Sequence, residues 1–212
     1  MNQKGNEFKG STGGKYITLW TTLLGFTPSF YQKGAEAVRL NKPVKVLDLG
    51  CGPGSLDFEL ARNAHPDVEF TGIDISEDQL DYARKHCIDF PCKFNFLNCS
   101  MDHLPFPEET FDWVLTSMAF HKVPSEVRHH AIAETARVLK SGGKFMLIDW
   151  SKPHLGMWGI VWLPLLVIFY SGNKDNWQNR YPELCAHQGL QLTEDKYINS
   201  VIRRQVFRKF SV

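Results

Sequence analysis

Residues 46–54 read VLDLGCGPG, with glycine at every second position, 50, 52 and 54, straight after a run of apolar side chains. Glycine loses more conformational freedom on folding than any other residue. Such a cluster therefore marks positive-φ turns or a ligand brought against bare backbone. Asp48, two residues before Gly50, is a poor neighbour for a pyrophosphate and a good one for a cationic amino group. Asp74, twenty residues past Gly54 in GIDIS, offers a carboxylate that can accept both hydroxyls of a ribose. The spacing is not the dinucleotide fingerprint G-x-G-x-x-G, whose third glycine would fall where the chain has Ser55. His121 lies four residues past Ser117 in SMAFHKVP. Imidazole titrates near neutrality, so His121 is of the type for a general base. A side chain that caps or packs the following loop is the other reading, and both stand open. Asp149, at the end of KFMLIDW, is a second candidate for proton transfer.

Groups so far apart in the chain need a scaffold that gathers them. VKVLDLG is a short apolar run broken at Gly50, which predicts a buried strand. SLDFELARNA follows as a helix with Leu56, Leu60 and Ala64 on one face. DVEFTGIDI predicts a second strand, and SEDQLDYARKHC a helix opened by Ser76 as its cap. KFNFLNC, FDWVLTSMAF and KFMLIDW read as strands three to five, with a helix SEVRHHAIAETARVLK before the fifth, ended by Gly142-Gly143. A short helix, ELCAHQG, precedes two closing strands, LQLTEDKYI and IRRQVFRKF, joined by a turn at Asn199-Ser200. Alternating strands and helices mean βαβ units and a parallel sheet, and the closing pair predicts an antiparallel hairpin on its edge. Ahead of this, residues 16–40 read as one or two helices broken near Pro28. In such a sheet a ligand binds beyond the C-terminal ends of the strands, beside the first strand-to-helix turn.

The chain has 212 residues, 43% apolar and 22% charged, with a net charge of +1. That is one α/β-sized domain with no surplus of cations for a nucleic-acid backbone, so no nucleic-acid partner is expected. Cysteines 51, 87, 92, 99 and 185 are odd in number, lack disulfide-scaffold spacing and contain no CxxC pair. Free thiols in a reducing cytoplasm, and no metal site, are the reading. The first fifteen residues are polar and glycine-rich and do not read as a signal peptide. The paired His129-His130 reads as a solvated helix face, and Arg203, Arg204, Arg208 and Lys209 as protection of an edge strand.

Taken together, VLDLGCGPG, GIDIS, LPFPEETFDWV and ARVLKSGGKFMLID resemble the class I S-adenosylmethionine-dependent methyltransferases. More narrowly they are similar to the group that holds the ubiquinone and menaquinone C-methyltransferases. The resemblance runs from about Val44 to Trp150. It implies a Rossmann-like α/β fold, a seven-stranded, mostly parallel sheet with helices on both faces and an antiparallel C-terminal hairpin. It also implies S-adenosyl-L-methionine as cofactor. Carried over by residue, Gly50, Cys51, Gly52 and Gly54 supply backbone at its methionyl part, with Asp48 near the amino group. Asp74 takes the ribose hydroxyls and Ile75 lies on the adenine. Ser100 stands where relatives carry an aspartate and accepts from the adenine amine, the Met101 backbone meets the ring, and Ser117 borders the transferable methyl. Asn98 or Asp102 would compensate for the shorter Ser100.

Residues 155–170, LGMWGIVWLPLLVIFY, carry no charge and directly follow the fifth strand. The run is short for a membrane span of about 20 residues. A helix apolar on all sides needs cover on all sides, which a lipophilic acceptor or a membrane surface would supply. The chain therefore divides into an N-terminal helical cap (1–40) and a methyltransferase domain (41–212) with an apolar, lid-like insertion at 153–176. The expected activity is methyl transfer to a small-molecule or lipophilic acceptor, quinone-like or lipid. Peripheral membrane contact would run through 155–170, on the inner face of the membrane. The alternatives are a methyltransferase of a soluble metabolite, with the apolar run as a dimer interface, and a non-catalytic cofactor-binding module.

Overall fold

Short apolar runs become strands where both faces of the sheet are covered, and helices where one face must stay wet. The computed structural model describes residues 28–153 and 174–210. Residues 1–27 of the expected N-terminal cap lie outside that range, as do most of the expected insertion and the whole of 155–170. The described elements are α1 (Pro28–Ala35), β1 (Lys45–Leu49), α2 (Ser55–Ala61), β2 (Glu69–Asp74), α3 (Glu77–His86), β3 (Lys93–Asn98) and β4 (Phe111–Ser117). Then follow α4 (Ser125–Val138), β5 (Leu139–Trp150), α5 (Lys174–Trp177), α6 (Tyr181–Ala186), β6 (Leu190–Tyr197) and β7 (Ile202–Lys209). Among the described residues the strands form one seven-stranded sheet in the order β3-β2-β1-β4-β5-β7-β6. β1 to β5 are parallel and β7 runs antiparallel to both β5 and β6. This is the predicted Rossmann-like architecture with its closing hairpin. No helix among the described residues is long and apolar enough to cross a membrane.

Side chains alternate across each strand, and the two cores follow from that period. Leu47 and Leu49 of β1 face one way, with Phe120, Ile132, Phe145 and Phe207. Val46 faces the other way, with Phe30, Leu56, Leu60, Phe70 and Ile148. Burying each such side chain contributes about 1.5–3 kcal/mol. The central place of β1, between β2 and β4, puts the direction change of the strand order next to its C-terminal end. A crevice opens there because connections leave the sheet on opposite sides.

Some boundaries differ from the sequence reading. α4 stops at Val138, not Lys140, because Leu139 is already extended and pairs with Phe111. The last helical carbonyls are met by the Glu109 and Thr110 backbone N–H groups instead of a glycine cap. β4 ends at Ser117, where Met118 turns to φ 56°, and a 3-10 turn, Phe120–Lys122, follows. The α6 helix begins at Tyr181, with Pro182 in its first turn. Ser76 sits at the N-cap of α3 without a side-chain cap bond; its own N–H donates to Asp74. The basic residues of β7 do not protect an edge, because β7 lies between β5 and β6. Arg203 pairs with Asp195 and Arg204 with Glu194, and Arg204 is buried.

Candidate active site

The chain leaves β1 through a turn in which Gly50, Gly52 and Gly54 all have positive φ, 69°, 53° and 78°. The Gly50 and Cys51 N–H groups donate to the Ile73 carbonyl at 2.8 and 2.9 Å, which locks the turn onto β2. The three glycines have different reasons. A Cβ on Gly50 would lie 2.6 Å from Ala119 Cβ, and one on Gly54 would lie 2.8 Å from Phe58 Cζ. A Cβ on Gly52 would have nothing nearer than Gln79 Oε1 at 3.9 Å. Gly52 therefore presents bare backbone to open space.

That space is a cavity of about 730 Å³ at the C-terminal ends of β1, β2 and β4. Asp48, Gly50, Cys51, Gly52, Asp74, Ile75, Ser100, Met101 and Ser117 all line it. Gly54 does not. It is the left-handed N-cap of α2, packed on Phe58, and its role is to start that helix. Asp74 is held in place by its own bonds: Oδ2 accepts the Gly52 N–H and Oδ1 the Ser76 N–H, both at 2.9 Å. Each oxygen keeps a lone pair for a further donor.

Asp48 is only 2% exposed, and its Oδ1 has no partner. Burial first, then the charges of Asp57 and Asp74, push its carboxyl well above the usual carboxylate range. Ser117 Oγ is likewise buried and unpartnered. Burial, with Asp48 next, pushes the Cys51 thiol up, which suits a small filler and not a nucleophile. At the other end of the cavity Ser100 Oγ donates to Asp102 Oδ1, and Asn98 Nδ2 donates to the Ile75 carbonyl at 3.1 Å. Ser100 Oγ thus keeps its lone pairs free, with the Asp102 carboxylate behind it.

His121 does not line the cavity; it stands on the 3-10 turn whose next residue, Lys122, does. Its Nδ1 is 2.7 Å from Asp149 Oδ1, and its backbone N–H donates to Asp149 Oδ2 at 2.9 Å. Asp149 is 3% exposed and also accepts the Trp150 N–H. A carboxylate at Nδ1 assigns the proton to that nitrogen and leaves the Nε2 lone pair free to accept one. The two residues that the sequence offered as separate candidates are thus one dyad. Sequence reasoning missed Tyr31, Gln79 and Lys122, which also line the cavity. Tyr31 arrives from α1 and no local pattern marks it.

Residues 46–143 match the protein family described as "Methyltransferase domain". Over that stretch the chain resembles a class I methyltransferase domain. It is 40% identical over 111 residues to a demethylmenaquinone methyltransferase of Symbiobacterium thermophilum, covering 51% of this chain and 43% of that one. It is 36% identical over 121 residues to the ubiquinone/menaquinone biosynthesis C-methyltransferase UbiE of Ralstonia pickettii, covering 57% and 46%. The chain spans about half the length of the curated relatives it matches. Among solved structures, the [4+2]-cyclase SpnF superposes with a TM-score of 0.71 at 20% identity, over 87% of this chain and 82% of that one. A methyltransferase of Aquifex aeolicus superposes with a TM-score of 0.66 at 19% identity, over 94% and 99%. These likenesses show the fold. The cofactor of such domains is S-adenosylmethionine, and the cavity fits it. A buried carboxylate oxygen waits for a cation, a diol acceptor is pre-set on Asp74, and a Cβ at Gly52 would fill the cradle.

Proposed function

We propose that this chain transfers the methyl group of S-adenosylmethionine to a small-molecule acceptor, and that the acceptor is lipophilic, quinone-like or lipid. The observation that carries the reading is the cavity at the sheet's direction change, where Asp48, Gly52 and Asp74 converge. When bound, the cofactor supplies a methyl on a sulfonium whose positive charge is lost as the nucleophile displaces it. Asp74 holds the ribose, and Asp48 with Ser117 orients the amino-acid end. Such positioning supplies much of the rate gain for an in-line displacement. His121 Nε2 takes the proton of the acceptor hydroxyl or acidic carbon, while Asp149 keeps the ring in the required tautomer and balances the positive charge that forms on it. The lipophilic acceptor is supported by the names of the quinone methyltransferases it resembles and by the uncharged run 155–170.

Purified protein incubated with methyl-labelled donor and either a lipid extract or a soluble-metabolite extract tests both parts. Label is expected in the lipid fraction, and Gly52→Val is expected to abolish it. Label in the soluble fraction alone would replace the lipophilic acceptor by a soluble one. Binding without transfer to either would leave a cofactor-binding module. Replacing Leu166 and Phe169 with serine is expected to raise KM for the lipid acceptor while leaving cofactor affinity unchanged.

A further inference from the structure

Asp48 is not alone beneath the glycine turn. Asp57, in the first turn of α2, is 1% exposed, and neither of its carboxylate oxygens has a partner. Its position follows from the fold: the turn delivers α2 back over β1, so the helix's first turn faces the side of the sheet on which Asp48 stands. No ion pair among the described residues reaches either carboxylate. The groups around them are the Tyr31 phenol of α1, the Cys51 thiol of the turn, Ser55 of α2 and Asp74 of β2. Ser117 of β4 and Lys122 of the following 3-10 turn line the same cavity. Two carboxylates buried together without a cation cannot both stay ionised at ordinary cost; one of them is neutralised instead. In accord with this, burial pushes Asp57 up to about 7, and its charge helps to hold Asp48 high.

We propose that Asp48 and Asp57 share one proton while no cationic ligand is docked against Asp48, and that docking of the cofactor's ammonium there displaces it, which makes Asp57 a determinant of selectivity for a cationic amino-acid moiety. This rests on the S-adenosylmethionine reading of the cavity. The O–H bond of the shared acid breaks, the proton passes to solvent, and the ammonium takes its place, one positive charge for another. Nothing is oxidised or reduced. Neutral nucleosides gain nothing from the exchange.

The test is calorimetric titration of the full chain with S-adenosylhomocysteine in phosphate and in Tris, buffers of different ionisation enthalpy. Release approaching about one proton per site is expected at pH 6.5, declining toward pH 8, with affinity rising up to about tenfold per pH unit over the lower part of that range. 5′-Methylthioadenosine, which lacks the ammonium, is expected to bind without proton release. Asp57→Asn is expected to bind S-adenosylhomocysteine with the release diminished. Equal apparent enthalpies in both buffers for the wild-type chain would overturn the proposal. So would the same release with 5′-methylthioadenosine, or undiminished release in Asp57→Asn. If that variant fails to fold, the two ligands and two buffers on the wild type still decide. Absence of S-adenosylhomocysteine binding would instead defeat the reading of the cavity itself, and this proposal with it.

Discussion

Gly50, Gly52 and Gly54 look alike in the sequence and do different things in the fold. The reason for a glycine lies in what surrounds the Cβ it lacks, which no local pattern records. Gly52→Ala meets open space and pays only the left-handed backbone strain, about 1–2 kcal/mol. It should fold with a modestly lower Tm and lose most affinity for S-adenosylhomocysteine. Gly50→Ala adds a 2.6 Å clash with Ala119 to the same strain. Overpacking of that kind costs about 1–3 kcal/mol more. Paired thermal melts and titrations separate the two: Gly50→Ala loses stability first, Gly52→Ala loses ligand first. The acid–base pair makes its own prediction. His121→Ala should lower the maximal rate by about 10²–10⁴ with cofactor affinity intact. Asp149→Asn should also lower it, through the wrong imidazole tautomer. Unchanged turnover in both would make the dyad a loop anchor. The sequence placed His121 and Asp149 as separate candidates because their contact joins residues 28 apart, through the register of β4 beside β5.

At the level of elements, Arg128 ties α4 to its surroundings. It is 2% exposed, its Nη2 donates to Asp175 Oδ2 at 2.9 Å, and its Nη1 donates to the Val123 and Phe120 carbonyls. One side chain thus joins α5 to the turn that carries His121. Removing Arg128 leaves Asp175 with only the longer contacts of Arg180 Nη1 and His129 Nε2, both at 3.4 Å, so Arg128→Ala should destabilise the fold by up to about 3–5 kcal/mol, read by denaturant unfolding. A loss below about 1 kcal/mol would show that those two side chains hold Asp175 without Arg128. Nothing in SEVRHHAIAETARV distinguishes Arg128 from the solvated residues beside it, since its partner lies 47 positions away. The same holds for the β7 arginines, whose strand lies between β5 and β6. Strand order, and with it which strand is the edge, is a tertiary fact. Element existence was legible because the period of two and the helical period are printed in the residues. The end of α4 was not, because pairing of Leu139 with Phe111 overrides its helix propensity.

For the whole molecule, the buried acids set how stability depends on pH. Asp57 is raised to about 7 in the folded chain, against an unfolded value near 3.8. Between those values the folded chain holds a proton that the unfolded chain has lost, so ligand-free stability falls as pH rises through that window. Asp48 acts in the same direction. Asp57→Asn should therefore flatten the decline in Tm between about pH 5 and 7, and a slope equal to that of the wild type would refute the assignment. The claim on which the account stands is that the cavity at the end of β1 is an S-adenosylmethionine site. Equilibrium titration of S-adenosylhomocysteine into the wild type and Asp74→Ala tests it most directly. One site per chain is predicted, with affinity in the variant lowered by about 1.5–3 kcal/mol for each ribose bond lost to the carboxylate. Equal affinity in both proteins, or no binding to a folded wild type, would contradict it.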